Sequence, residues 1–291
     1  MFVQQNTIQA LFIYAKAKLE GWFSEFEIRN IYKCLICKRL NWSDTDYLLN
    51  QDHRLSESDL LFVRGCINRL LKNEPFQYII GETEFFGLKF QCNPNALIPR
   101  PETEELVAVV LKTMAHFKNP KIADLCTGSG CVGISLAKKI SGAEIVLTDI
   151  SEGAIELAES NAKLNEVKVK CLIEDLFSNS AFKGWETNSF DCWVSNPPYI
   201  PFKEKSEMEE NVLGYEPHIA LFVEDANPIL FYQEIITQAK LYLKKNGWLF
   251  FEIHPDFSAE IVSYLKNHGF VNIELMKDLQ GRIRMLKGQN A

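Results

Sequence analysis

A chain of 291 residues with 47% hydrophobic content is long enough to bury a core and to form one large domain with a smaller one beside it. Its 38 acidic against 31 basic residues give a net charge of -7, which excludes a general attraction to a phosphate backbone and disfavours direct nucleic-acid binding, although a local basic groove stays open. No run of about eighteen apolar residues is present to span a bilayer, and Met1-Phe2-Val3-Gln4-Gln5-Asn6 lacks the basic region and cleavage site of a signal peptide, so a cytoplasmic protein without a membrane partner is expected.

From Thr7 to about Asn73 apolar residues recur at helical spacing: Leu11, Phe12, Tyr14 and Ala15; Phe26, Ile31, Leu35 and Ile36; Leu60, Leu61, Val63, Ile67, Leu70 and Leu71. This predicts a small helical bundle. Ser24 with Glu27 reads as a capping box, Ser56 with Asp59 as a weaker one, and the polar stretch 41–53 as a short connecting helix. Cys34 and Cys37 have C-x-x-C spacing, but no second pair completes a zinc site and no thioredoxin-like strand precedes them. One face of a helix is the plainer reading. With Cys66, Cys92, Cys126, Cys131, Cys171 and Cys192 scattered mostly in apolar stretches, reduced core thiols are expected and no metal.

Between Glu82 and Cys92 the pattern turns to short β segments around Gly87, a hairpin followed by the proline-rich stretch 94–101. From Lys121 onward β-rich runs alternate with helical ones: 121–125, 144–149, 167–173, 191–195 and 248–253. The alternation predicts βαβ units and a mostly parallel sheet covered on both faces. The last two segments, 271–276 and 282–287, are close enough to pair as an antiparallel hairpin at one end of it. By analogy, an α/β fold with seven strands ending in a hairpin is similar to class I (Rossmann-like) methyltransferases. The expected division is a helical domain at 1–81, a β-hairpin linker at 82–95 and, by that analogy, a cofactor-binding methyltransferase domain at 96–291.

Asp124-Leu125-Cys126-Thr127-Gly128-Ser129-Gly130 lies where the first parallel strand should end and a helix begin. Glycines there let the backbone turn sharply and approach a ligand, and the helix N-terminus offers free N–H groups. The loop resembles the D/E-x-G-x-G-x-G loop of class I methyltransferases with Cys126 at the first glycine position; a plain glycine turn and a dinucleotide site remain alternatives. Asp149 ends the next strand, where a carboxylate can accept hydrogen bonds from both ribose hydroxyls of either cofactor type. It could instead cap the following helix, although Ser151 is the better cap. After the third strand, Glu174-Asp175-Leu176-Phe177 reads as an adenine clamp, with Asp175 near the exocyclic amine and Leu176 or Phe177 against the ring, or as a solvated turn.

The chemistry-bearing segment is Ser195-Asn196-Pro197-Pro198-Tyr199-Ile200, after the apolar strand ending in Cys192-Trp193-Val194. Two prolines cannot continue a central ladder, so the chain must leave the sheet at its carboxyl end, where open α/β sheets bind ligands. The tetrapeptide suits methylation of a planar nitrogen, whose delocalised lone pair attacks poorly unless its hydrogens are held and the nitrogen is aimed. Asn196 Oδ1 and the Pro197 carbonyl can accept those hydrogens while Tyr199 packs on the planar group. Glutamine amides and adenine N6 amines satisfy this equally.

Taken with Glu74-Pro75-Phe76-Gln77-Tyr78-Ile79-Ile80-Gly81, Phe85-Phe86-Gly87, Ile98-Pro99-Arg100-Pro101-Glu102-Thr103-Glu104, Tyr215-Glu216-Pro217 and Asp278-Leu279-Gln280-Gly281-Arg282, the sequence resembles the release factor glutamine methyltransferase family known as HemK or PrmC. The resemblance implies transfer of a methyl group from S-adenosyl-L-methionine to the side-chain nitrogen (N5) of the glutamine in the Gly-Gly-Gln loop of peptide chain release factors, leaving S-adenosyl-L-homocysteine. It implies Asn196, Pro197 and Tyr199 as catalytic residues, and Asn196 through Tyr199 with Arg100 as the substrate site. The cofactor would be held by Asp124, Cys126, Thr127, Gly128, Ser129, Gly130, Asp149, Asp175, Leu176 and Asn196. Leu176 stands where some relatives have an aromatic residue. Arg100 could orient the entrance loop or pair with Glu102, Glu104 or Glu105. The helical domain would dock the release factor, and a monomer is expected.

Three other functions fit parts of the pattern. A DNA N6-adenine methyltransferase would use the same tetrapeptide, but the acidic charge and the lack of a basic target-recognition domain oppose it. A ribosomal-protein glutamine methyltransferase shares the fold, with the sequence after Tyr199 favouring the release-factor branch. A non-catalytic partner-binding module is opposed by the intact Asn196-Pro197-Pro198-Tyr199.

Overall fold

The computed structural model describes residues 5–291, and its contacts gather into two units. One runs to Gly81 and takes in Glu210–Tyr215; the other holds Glu82–Glu209 and Glu216–Ala291. Residues 1–4, part of the stretch read above for a leader signal, lie outside the described residues.

The first unit is helical: α1 (Ile8–Leu19), α2 (Glu25–Leu40), α3 (Asp44–Leu49), α4 (Glu57–Leu70) and α5 (Phe76–Ile80). Ser24, Ser43 and Ser56 start α2, α3 and α4 with both arms of a capping box, to Glu27, Asp46 and Asp59. The box at Ser43 is the one that the sequence reading did not name. Ile8, Leu11, Ile28, Leu35, Val63 and Ile67 meet in one core, and the Tyr32 hydroxyl donates to the Ile8 carbonyl at 2.6 Å. Phe26 and Leu61, read as part of the apolar stripe, are 74% and 52% exposed. Two residues along a helix is a turn of about 200°, so the stripe through Ile28, Ile31 and Leu35 leaves Phe26 on the opposite face. Cys34 and Cys37 both lie on α2, and all eight cysteines are thiols.

The second unit opens with a hairpin, β1 (Glu82–Phe85) and β2 (Leu88–Gln91), whose two turn residues Phe86 and Gly87 both have positive φ, 52° and 72°. A two-residue turn of that kind matches the twist of paired strands. Asn161 Oδ1 accepts the Gln91 N–H at 2.6 Å and Asn165 Nδ2 donates to the Lys89 carbonyl at 2.8 Å, which fastens the hairpin within this unit.

Then follow α6 (Pro101–Met114), β3 (Lys121–Leu125), α7 (Cys131–Lys139), β4 (Glu144–Asp149), α8 (Glu152–Leu164), β5 (Lys170–Ile173), β6 (Phe190–Ser195), β7 (Ile200–Pro201), α9 (Glu210–Tyr215, in the first unit), β8 (Phe222–Val223), α10 (Leu230–Tyr242), β9 (Leu243–Glu252), α11 (Ser258–Asn267), β10 (Phe270–Lys277) and β11 (Ile283–Asn290). The sheet has seven strands in the order β10-β11-β9-β6-β3-β4-β5, parallel from β9 to β5 and antiparallel at β11 and β10. The seven-stranded Rossmann-like sheet and the helical N-terminal region stand as the sequence led us to expect. Strand β6 shows why the sheet is buried on both sides: Trp193 packs with Ile235 and Leu243, while Cys192 and Val194 face the core formed with Leu106, Val110 and Ile134. Among the described residues no helix is long and apolar enough to cross a membrane.

Candidate active site

At the carboxyl ends of β3, β4 and β6, a cleft is lined by the glycine loop, Asp149, residues 174–177, Asn196, Pro198 and the 95–100 segment. Parallel strands direct every strand-to-helix loop to the same edge, which is why segments far apart in sequence converge here.

Hydrogen bonds tie the glycine loop in place at several points. Thr127 Oγ1 donates to Asp124 Oδ2 at 2.6 Å, and the Gly133 N–H donates to the same oxygen at 2.9 Å. The Gly128 N–H donates to Asp149 Oδ2 at 2.9 Å, Asn161 Nδ2 holds the Ser129 carbonyl at 3.0 Å, and the Gly130 N–H returns to the Thr127 carbonyl at 2.9 Å. Cys126 has a φ of 57°, so a cysteine takes the left-handed conformation that a glycine supplies more easily. Gly130, with a φ of 82°, is the N-cap of α7 and does not line the cleft; a Cβ there would come within 2.7 Å of Ile134 Cδ1. Burial pushes the Asp124 carboxyl up to about 7 against the pull of its two hydrogen bonds.

Asp149 does not cap α8. Ser151 does, accepting the Ala154 N–H, while Asp149 Oδ1 takes the Ser151 N–H at 3.0 Å. Its carboxylate therefore sits on the cleft wall, held by two backbone donors, and desolvation raises its pKa. Asp175 Oδ1 accepts the Phe177 N–H at 2.9 Å and shapes that turn, Leu176 is buried, and Phe177 meets the Phe231 ring edge-on at 5.0 Å. Phe231, on α10, lines the cleft beside them and went unremarked in the sequence.

Ser195 Oγ donates to the Leu125 carbonyl at 2.7 Å, and Asn196 then leaves the sheet into the cleft. Pro198 lines it; Pro197 and Tyr199 do not. The Tyr199 hydroxyl donates instead to Glu252 Oε1 at 3.0 Å, and the turn ends in a short parallel ladder between β7 and β8. Burial and the adjacent carboxylate keep the Tyr199 phenol protonated by pushing its pKa well up.

Two family models match the chain, the PrmC N-terminal domain over residues 11–81 and the methyltransferase small domain over 103–214. The chain is 41% identical to the release factor glutamine methyltransferase of Flavobacterium psychrophilum over 95% of each chain. Against that of Bacteroides thetaiotaomicron it is 36% identical over 94% of this chain and 96% of the other. The chain belongs to the release factor glutamine methyltransferase family. A methyltransferase crystal structure from Pyrococcus furiosus, 18% identical with a TM-score of 0.53 over 77% of this chain and 97% of that one, shares the fold.

Two segments far apart in the chain meet beside the cleft. Glu216, which is 4% exposed, accepts the Ile98 N–H at 3.1 Å and pairs with Arg100 Nη2 at 2.5 Å. Arg100 thus pairs with none of Glu102, Glu104 or Glu105, the partners its sequence neighbourhood offered; a residue far along the chain takes it because the fold buries Glu216 against the turn. Thr103 and Glu252 are the other polar residues that sequence reasoning passed over. Thr103 Oγ1 donates to Glu252 Oε2 at 2.6 Å and receives Asn196 Nδ2 at 3.3 Å. A signal for Glu252 was present: one carboxylate at the carboxyl end of the apolar run Trp248-Leu249-Phe250-Phe251, where a buried charge needs partners. Among the described residues no group of three or more His, Cys, Asp or Glu is placed to hold a metal ion.

Proposed function

We propose that this chain methylates the side-chain nitrogen (N5) of the glutamine in the Gly-Gly-Gln motif of peptide chain release factors, using S-adenosyl-L-methionine and no metal. The observation that carries the reading is the placement of Asn196 and Pro198 in the same cleft as the glycine loop and Asp149, in a chain of this family. The residues present fit the cofactor. Asp149 is a carboxylate anchored by backbone donors with lone pairs to spare for two ribose hydroxyls, and Gly128 takes a φ of 55°, which glycine adopts without strain. When bound, the sulfonium supplies an electrophilic methyl group.

Cys126, Thr127, Gly128 and Ser129 would hold the cofactor along the loop with Asp124 and Gly130 bracing it, and Asp175 and Leu176 would hold the adenine. Asn196 Oδ1 would accept one amide hydrogen of the glutamine and hold its nitrogen in line for attack, and the Pro197 carbonyl, outside the cleft lining, would take the other if the entering glutamine reaches it. Tyr199, anchored on Glu252, would fix the end of that turn, and Arg100 would set the entrance through the 98–100 segment. The methylated nitrogen is acidic enough to release its proton without a strong base. The helical unit would dock the release factor, and a cytoplasmic monomer fits this role.

Transfer of tritiated methyl from S-adenosyl-L-methionine to a purified unmethylated release factor, beside its Gly-Gly-Gln→Gly-Gly-Ala variant and a DNA control, tests the reading. Label confined to the unaltered release factor is expected. Label in DNA would replace it with adenine methylation, and no label at all would leave a binding module or another protein substrate.

A further inference from the structure

Glu252 is the last residue of β9, 3% exposed and flanked by Phe251 and Ile253. A carboxylate is costly to bury unless each oxygen has a donor. Here both do: Oε1 takes the Tyr199 hydroxyl at 3.0 Å and Oε2 takes the Thr103 hydroxyl at 2.6 Å. Burial raises the Glu252 pKa, and the Thr103 and Tyr199 hydroxyls and then the Arg284 guanidinium pull it back towards the charged form. Neither of these hydrogen bonds goes to the glycine loop.

The polarity of the chain that follows is fixed by valence. A threonine hydroxyl has one hydrogen and two lone pairs. Its hydrogen goes to Glu252, which as a carboxylate can only accept, so towards Asn196 it can only accept as well, and it does so from Nδ2 at 3.3 Å. The terminal torsion of an asparagine is soft and nearly two-fold, so the amide alone has no strong preference for either face. With Nδ2 committed to Thr103, Oδ1 is the pole left to the cleft.

We infer that Thr103 and Glu252 are positioning residues that set the Asn196 amide with Oδ1 turned to the substrate, an inference that rests on the proposed amide methylation. The reaction needs this sense. A glutamine nitrogen approaching the cleft brings two hydrogens, and a flipped Asn196 would meet them with two more of its own. The Glu252–Thr103 pair raises the energy of that flip before any substrate arrives, which is electrostatic preorganisation exerted through a hydroxyl.

The test uses Thr103→Val, which keeps the shape and removes the hydroxyl, Thr103→Ser, which restores it, and Glu252→Gln, whose amide can donate to Thr103 and release the hydroxyl hydrogen towards Asn196. Steady-state methyl transfer to the release factor is measured with calorimetric cofactor binding and thermal unfolding of each variant. Thr103→Val and Glu252→Gln are expected to lose ten-fold or more in kcat with cofactor Kd within about two-fold. Thr103→Ser is expected to recover to within about three-fold of the parent. Equal losses in Thr103→Val and Thr103→Ser would make packing the cause and overturn the inference. So would parental kcat in both Thr103→Val and Glu252→Gln, and if one of these fails to fold the other decides alone. Asn196→Ala separates the levels: full turnover there would sink the amide-methylation reading itself, whereas an inactive Asn196→Ala beside active Thr103→Val and Glu252→Gln would sink only the relay.

Discussion

Glu216 pairs with Arg100, 116 residues earlier in the chain, at 2.5 Å, and with its second oxygen takes the Ile98 N–H at 3.1 Å. One buried carboxylate thereby holds the turn that forms one wall of the cleft. Glu216→Ala should strand the Ile98 N–H at a cost of about 1–3 kcal/mol, lowering the unfolding midpoint, and should loosen the wall so that cofactor affinity drops several-fold. Calorimetry on the purified variant checks both. Unchanged affinity would mean that the turn holds without its clamp.

At Cys126 the usual ranking of alanine and glycine should reverse. Its φ of 57° is a conformation in which a Cβ costs about 1–2 kcal/mol and in which glycine is unstrained. Comparing Cys126→Gly with Cys126→Ala cancels the loss of the sulfur. The glycine variant should be the more stable by about 1 kcal/mol in denaturant unfolding, and an alanine variant of equal or greater stability would show that the loop relaxes to another conformation.

Gly133 lies inside α7, where alanine is ordinarily favoured by about 1 kcal/mol. A Cβ there would come within 2.2 Å of Leu147 Cδ2 and 3.1 Å of Asp124 Cβ, atoms of the two strands beneath. Overpacking should win, with Gly133→Ala destabilised by about 1–3 kcal/mol. A gain in stability would refute this close helix-to-sheet approach.

Asp124 gives a pH dependence with a definite sign. Its carboxyl is pushed up to about 7 in the folded protein from an ordinary 3.8, so between these values the folded state holds a proton that the unfolded chain has lost. Its contribution to stability is fully present below the ordinary value and is lost as pH rises through about 7. In Asp124→Asn that loss is absent, so the unfolding midpoint of the variant relative to the parent should climb from pH 5 to pH 8. A difference that stays flat with pH would mean that Asp124 is charged throughout.

Much of the cleft could be read from local pattern. The glycine loop, Asp149 and the Asn196-Pro197-Pro198-Tyr199 turn each announce themselves because each ends a strand, and a parallel sheet sends all such ends to one side. Ser151 could be separated from Asp149 as the helix cap by chemistry alone, and the structure agrees. By contrast, Gly130, Pro197 and Tyr199 carry the same motifs but do not line the cleft; one caps a helix and one reaches behind the site to Glu252. A motif marks where a chain turns, and it does not say which of its side chains faces the ligand.

The sequence by itself determined the seven strands, the helical start and the family to which they belong, because periodicity, capping and turn chemistry act between residues near one another in the chain. Only the tertiary structure decided that β11 enters between β9 and β10, that Arg100 passes over three nearby glutamates for Glu216, and that Thr103, Asn196 and Glu252 share one hydrogen-bonded chain. Those outcomes depend on which distant groups burial brings within about 3 Å of one another, where a polar atom removed from water must find a partner. No local pattern carries that distance.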